Sequence, residues 1–92
     1  MLKKVLAFRI EGCPYCAQAM KAVKELAADE KYSSVVIDWV EENEHPEISS
    51  KYDYYFVPTF FVDGVKLYEA KRGESYDECK ANVKRVLDEA LA

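Results

Sequence analysis

Cysteine is scarce in this sequence, and its shortage excludes one common way of holding a small protein together. The chain has three cysteines in 92 residues, whereas a secreted disulfide scaffold normally carries four or more in even number. Long apolar runs are also missing, because no stretch approaches the roughly 18 residues that span a bilayer. We therefore expect neither a disulfide-stapled domain nor a membrane protein.

The start of the chain lacks the features of a secretion signal. Residues 1–4 are partly basic, but the apolar run behind them ends at Arg9 and Glu11, and no small-residue cleavage site follows. We interpret this segment as a first strand. We expect the protein in the cytoplasm, where thiols stay reduced.

Positive charge is in the minority. The chain has 13 Lys and Arg against 17 Asp and Glu, which gives a formal net charge of -4 and a pI near 5.0. An average negative field repels phosphate backbones and anionic lipid headgroups. We therefore expect no nucleic-acid partner and no membrane partner.

The length and composition indicate one domain over residues 1–92. Hydrophobic residues make up 50% and charged residues 33%, which fits an ordinary globule rather than a disordered chain. A chain of this size has room for one core and one site. We expect a monomer.

The first half of the chain predicts a strand, a helix and a second strand. Residues 4–10 are rich in strand formers. Residues 14–28 follow as an amphipathic helix with Pro14 at its first position, where a missing N–H costs nothing. Residues 34–40 form the second strand and complete a parallel β-α-β unit. The residues expected on the inner face of the helix are Cys16, Met20, Val23, Leu26 and Ala27.

A short helix and a hairpin come next. Pro46 opens the helix, and the spacing of Ile48, Tyr52 and Tyr55 predicts that they pack inward. Asp63-Gly64 then separates two apolar runs and favours the type I′ turn of a β-hairpin.

A final helix closes the chain. Ser75 and Glu78 have the spacing of a capping box, which marks a helix start. An apolar stripe continues to the C-terminus and comprises Tyr76, Cys79, Val83, Val86, Leu87, Ala90 and Leu91. The resulting order β-α-β-α-β-β-α predicts an α/β fold with a four-stranded mixed sheet flanked by helices.

The motif Cys13-Pro14-Tyr15-Cys16 carries the chemistry. Its first cysteine stands where a helix begins, and the unpaired backbone N–H groups there stabilise a thiolate. Cys13 is therefore the expected nucleophile. Cys16, one helical turn along, is the expected resolving thiol, and the small ring that the two would close favours a reversible disulfide over a structural one.

The same motif also serves as half of a zinc site in some proteins. Zinc normally needs four ligands, and the remaining candidates are Cys79, on the predicted apolar face of the last helix, and His45, in a polar loop. We therefore predict no metal site, a buried core role for Cys79 and no role for His45.

The cysteine motif and the later segment Phe56-Val57-Pro58-Thr59 resemble glutaredoxin, within the thioredoxin superfamily. The resemblance spans nearly the whole chain and implies a thioredoxin-like fold. It also implies that the Val57-Pro58 bond is cis and that both residues form the wall of the site opposite the cysteines. The substrate-binding residues implied are Pro14, Tyr15, Val57 and Pro58.

The positions that bind glutathione in glutaredoxins are replaced here. Ile10 stands where those proteins have Lys or Arg, and Phe56 stands where they have Thr. Their paired glycines and acidic residue fall near Tyr68, Glu69 and Lys71. We expect no bound cofactor and a supply of electrons from a flavoprotein reductase with NADPH or from glutathione, the flavoprotein being the faster.

The central region also resembles thioredoxin, in Lys51-Tyr52, in Val57-Pro58-Thr59 and in Gly73. This resemblance is partial too, since Gly12 stands before the first cysteine instead of Trp, and Ala7 replaces a buried Asp. The leading function is reduction of protein or small-molecule disulfides. Two alternatives are an iron–sulfur cluster carrier, in which two chains share a cluster through Cys13, and a noncatalytic interaction module of the same fold.

Overall fold

The computed structural model describes residues 2–92, and its elements follow the predicted order. They are β1 (Val5–Arg9), α1 (Pro14–Ala27), β2 (Ile37–Glu41), α2 (Pro46–Ser49), β3 (Thr59–Val62), β4 (Val65–Glu69) and α3 (Tyr76–Leu91). Among these residues no helix is long and apolar enough to cross a membrane.

The strands form one mixed sheet in the order β2-β1-β3-β4. Strand β1 is parallel to β2, with Val5 opposite Ile37, and antiparallel to β3, with Val5 opposite Val62. Because β1 and β2 are parallel, the chain must cross over between them, and α1 makes that crossover. The predicted α/β fold is confirmed, and the carboxyl end of the central strand leads directly into the cysteine motif.

The hairpin between β3 and β4 turns at Asp63-Gly64, as predicted. Both residues have positive φ, 48° for Asp63 and 83° for Gly64, which is the requirement of a type I′ turn. Asp63 also exchanges hydrogen bonds with the backbone of Lys4, at 2.9 and 3.1 Å. The turn is therefore fastened to the start of the central strand.

The two long helices cover one face of the sheet. Ser75 caps α3 through the predicted capping box with Glu78. The middle of the predicted inward stripe of α3 is buried, and Tyr76 and Leu91 at its ends are partly buried. In α1 the prediction for Met20 is wrong, since this side chain is 38% exposed. Ala19 and Ala22 are buried instead, and Met20 lies about 100° around the helix from Ala19, which turns it away from the buried face.

An aromatic cluster covers the opposite face. Phe8 and Phe61 of the sheet contact Tyr52 and Tyr54, and the rings of Phe8 and Tyr54 stack with centroids 4.8 Å apart. Tyr55, predicted to pack inward, is 82% exposed. Helix α2 ends at Ser49, so the helical spacing that would turn Tyr55 toward the core no longer applies there.

The second strand is shorter at its start than predicted. It begins at Ile37, and Val36 before it is exposed. Residues 28–34 form turns and a bend instead, and Val35 after them donates its N–H to the carbonyl of Tyr32 at 3.1 Å. The strand starts where its pairing with β1 starts, since Val5, the first residue of β1, lies opposite Ile37.

Candidate active site

Cys13 occupies the N-cap position of α1. Its backbone is extended, with φ -80° and ψ 120°, and its carbonyl accepts the first helical hydrogen bond from Ala17 at 3.0 Å. Gly12 before it has φ 81°, a left-handed conformation that glycine adopts without strain. This turn leaves the side chain of Cys13 half-buried, at the mouth of the site.

Cys16 lies one helical turn further and is buried, with 1% of its surface exposed. Burial raises the pKa of its thiol to about 12. The backbone of Ile10 is next in size and lowers the pKa, the Cys13 thiol adds to the rise, and the Arg9 charge lowers it. Both thiols of the pair are reduced in the structure. The pair therefore presents one accessible sulfur and one shielded, protonated sulfur.

The wall opposite Cys13 is the segment at Val57-Pro58. The bond between these residues is cis, which confirms the prediction. The Sγ atom of Cys13 lies 4.0 Å from the carbonyl oxygen of Val57, and Pro58 is fully buried beneath. The hydroxyl of Thr59 donates to the carbonyl of Phe56, which ties this segment to the start of β3.

Tyr15 forms the third side of the site. Its phenol oxygen accepts a hydrogen bond from the backbone N–H of Gly73 at 2.7 Å. A pocket of about 180 Å³ opens beside it and is lined by Tyr15, Phe56, Val57, Ala70, Lys71 and Arg72. The structure thus brings Cys13, Cys16, Tyr15, Val57 and Pro58 together, while Pro14 lies exposed on the first turn of the helix.

The sequence comparison decides the family of the protein. Residues 1–70 match the sequence model of the family described as "Thioredoxin domain". The chain belongs to the thioredoxin domain family. No curated protein sequence matches it.

Solved structures of the thioredoxin fold superimpose on this thioredoxin-domain protein. Oxidised thioredoxin from Plasmodium falciparum gives a TM-score of 0.67 at 18% identity, with 98% of this chain and 82% of that chain covered. Thioredoxin 1 from Thermosipho africanus gives 0.60 at 18% identity, covering 97% and 99%. Oxidised glutaredoxin 2 from Chlamydomonas reinhardtii gives 0.51 at 21% identity, covering 97% and 79%. These likenesses establish the fold.

Glu69, to which the sequence assigned no role of its own, supports the wall of the thioredoxin-domain site. Its carboxylate Oε2 accepts hydrogen bonds from the successive backbone N–H groups of Tyr55 and Phe56, and its Oε1 pairs with Lys66 at 3.0 Å. Burial opposes ionisation of Glu69, but these partners outweigh it and lower its pKa. No local motif signals this contact, because it joins the end of β4 to a loop that is distant in sequence.

The third cysteine lies away from the pair. Cys79 is 1% exposed and unpaired, which confirms its predicted place in the core. Burial raises the pKa of its thiol.

His45 is exposed and contacts Glu47 at 3.3 Å. Within residues 2–92 no cluster of three or more His, Cys, Asp or Glu side chains has the arrangement of a metal site.

Proposed function

We propose that this thioredoxin-domain protein is a dithiol oxidoreductase that reduces protein or small-molecule disulfides. The observation that carries the proposal is the unequal exposure of two adjacent free thiols, with Cys13 at the mouth of the site and Cys16 buried behind it. A substrate sulfur has access to Cys13. The buried Cys16 can react only with a disulfide that Cys13 has already formed.

The reaction would run in two exchanges. The thiolate of Cys13 attacks one sulfur of the substrate disulfide, the substrate S–S bond breaks, and the departing sulfur takes up a proton. The thiol of Cys16 then loses its proton and attacks the Sγ of Cys13, which releases the second substrate sulfur as a thiol. Two electrons pass to the substrate, and the protein is left with a Cys13–Cys16 disulfide.

The wall at Val57 would hold the substrate during both exchanges. The backbone of Val57 faces the Cys13 sulfur at 4.0 Å, so a substrate chain bonded to that backbone brings its own sulfur within reach. Pro58 beneath it and the ring of Tyr15 beside it would limit the approach to one direction, with Pro14 contacting the substrate from the helix end.

The trapping of mixed disulfides tests the assignment. Cys16→Ser is expected to accumulate a covalent complex with a disulfide substrate, because nothing inside the protein releases it. Cys13→Ser is expected to lose turnover and to form no such complex. Cys79→Ala serves as the control and is expected to retain turnover, since Cys79 lies in the core away from the pair. Turnover by Cys13→Ser would contradict the proposal.

The oxidised protein would need an electron donor. We propose a flavoprotein reductase with NADPH, which would recognise the surface around Cys13, Tyr15 and Val57. Glutaredoxins usually have lysine or arginine three residues before the first cysteine, and this chain has Ile10 there. The missing cation supports a protein as electron donor over glutathione.

A further inference from the structure

The pocket beside Cys13 is positively charged although the protein as a whole is acidic. Lys71 and Arg72 line it and are exposed. In the part of the chain that the structure describes, neither side chain forms an ion pair or a hydrogen bond to a protein group. Two adjacent cations therefore face the pocket in a chain whose formal net charge is -4.

The acidic residues on either side of Lys71 and Arg72 form hydrogen bonds or ion pairs with other groups. Glu69 accepts two backbone N–H groups and pairs with Lys66. Glu74 accepts hydrogen bonds from the hydroxyl of Tyr68 and, at 3.2 Å, from the amide of Asn82. Both carboxylates keep their charge, but they are held by other partners and neither of them lines the pocket. The charged side chains that do line it are the two cations.

The remaining surface of the pocket is apolar and aromatic. Tyr15, Phe56 and Val57 line it together with Ala70, which is buried. Phe56 is 55% exposed and Tyr55 beside it is 82% exposed. Single exposed apolar residues are ordinary, but two consecutive exposed aromatics, one of which lines the pocket, provide a contact surface for a chain bound there.

We propose that this pocket selects protein disulfides in which an acidic side chain lies within a few residues of the attacked cysteine. The proposal rests on the proposed reductase function and names its substrate class. While the substrate cysteine meets Cys13 beside Val57, the acidic side chain enters the pocket and pairs with Lys71 and Arg72. An apolar neighbour in the same segment packs on Phe56.

Three disulfide peptides of matched length test this selection. They carry Glu, Gln or Lys two residues from one cysteine and are otherwise identical, and the rate constant kcat/KM for their reduction is measured at low salt. Exposed ion pairs contribute about 0.2–1 kcal/mol each, so two of them give the Glu peptide an advantage of roughly 2- to 30-fold over the Gln peptide. The Lys peptide is expected to be slowest, and added salt should reduce the differences.

Variants locate the effect in the pocket. In the double variant Lys71→Gln, Arg72→Gln the ratio of Glu to Gln peptide rates should fall to about one. The control Lys24→Gln, Lys84→Gln makes the same change in net charge at exposed positions outside the pocket and should keep the ratio. Loss of the ratio in the control as well would show a general field effect and overturn the proposal.

Other outcomes distinguish failure of this substrate selection from failure of the proposed reductase function. Equal rates with all three peptides would overturn the selection while the reductase function stands. Failure to reduce any of them, or any other disulfide, would overturn both. Faster turnover of oxidised glutathione, a small anion, than of the Glu peptide would overturn the assignment of the pocket to a protein segment.

Discussion

Gly73 donates its backbone N–H to the phenol oxygen of Tyr15 at 2.7 Å, and this bond joins the turn before α3 to the first turn of α1. Tyr15→Phe removes the acceptor and keeps the ring. A hydrogen bond of this kind contributes about 0.5–1.5 kcal/mol net, so the free energy of unfolding should fall by that amount in urea denaturation. Tyr55→Phe is the control, since the Tyr55 ring is 82% exposed. An equal loss in both variants would contradict the role of the bond.

Glu69→Gln tests the support of the wall at Val57. Glutamine keeps one acceptor oxygen, but it lacks the negative charge with which Glu69 holds two backbone N–H groups and Lys66. Because the Glu69 side chain is only 20% exposed, we expect a loss of about 1–2 kcal/mol at pH 7. The exposed residue Glu44 provides the matched control, Glu44→Gln, which should lie within about 0.5 kcal/mol of the parent protein.

The effect of Glu69 depends on pH in a defined direction. Its pKa in the folded protein is lowered, so the folded state holds the proton less tightly than the unfolded chain does. The stabilisation is therefore complete above the unfolded pKa of about 4.3 and is lost as pH falls through the folded value. Urea denaturation of the parent and Glu69→Gln at neutral and acid pH should show the difference shrinking on acidification. A constant difference would rule out the charge as its source.

The resolving step should accelerate with pH. Cys16 must lose a proton before it attacks, and burial raises the pKa of its thiol to about 12, so only a small fraction is ionised at neutral pH. A mixed disulfide between Cys13 and a chromophoric thiol, made in the Cys79→Ala background, should release the chromophore about tenfold faster per unit of pH between about 6 and about 9. A release rate that does not change between these pH values would mean that Cys16 is already ionised at the lower one.

The electron donor is tested by two coupled assays on one disulfide substrate. Turnover with a thioredoxin-reductase-type flavoprotein and NADPH should exceed turnover with glutathione and glutathione reductase. Each hydrogen bond missing from the glutathione site costs about 0.5–1.5 kcal/mol, and two or three such losses correspond to one to several orders of magnitude in affinity. Efficient, saturable turnover with glutathione and none with the flavoprotein would reverse the assignment.

Local signals predicted most of the fold. Asp63-Gly64 marked the hairpin and Ser75 with Glu78 marked the last helix, because turn angles and helix caps depend on a few neighbouring residues. The cysteine motif located one side of the candidate site in the same way, and the resemblance to glutaredoxin located Val57-Pro58 opposite it. Each of these signals lies within a short segment, so it can be recognised without knowledge of the contacts made by the rest of the chain.

The errors and omissions depend on contacts between distant segments. The start of β2 follows from where β1 begins, and the exposure of Tyr55 follows from where α2 ends. The bonds from Glu69 to the loop before Pro58 exist only after β4 has paired with β3. A single sequence carries no periodicity or motif for such contacts.

The place of β1 in the sheet has a consequence for the synthesis of the chain. Its two neighbours, β2 and β3, both come later in the sequence, so β1 leaves the ribosome before either partner exists. Until Val62 has emerged, one edge of this apolar strand is unpaired, and such an edge is a template for association with other chains. After folding, the same strand is paired on both sides, and its amide protons are expected to exchange with solvent more slowly than those of the edge strands β2 and β4.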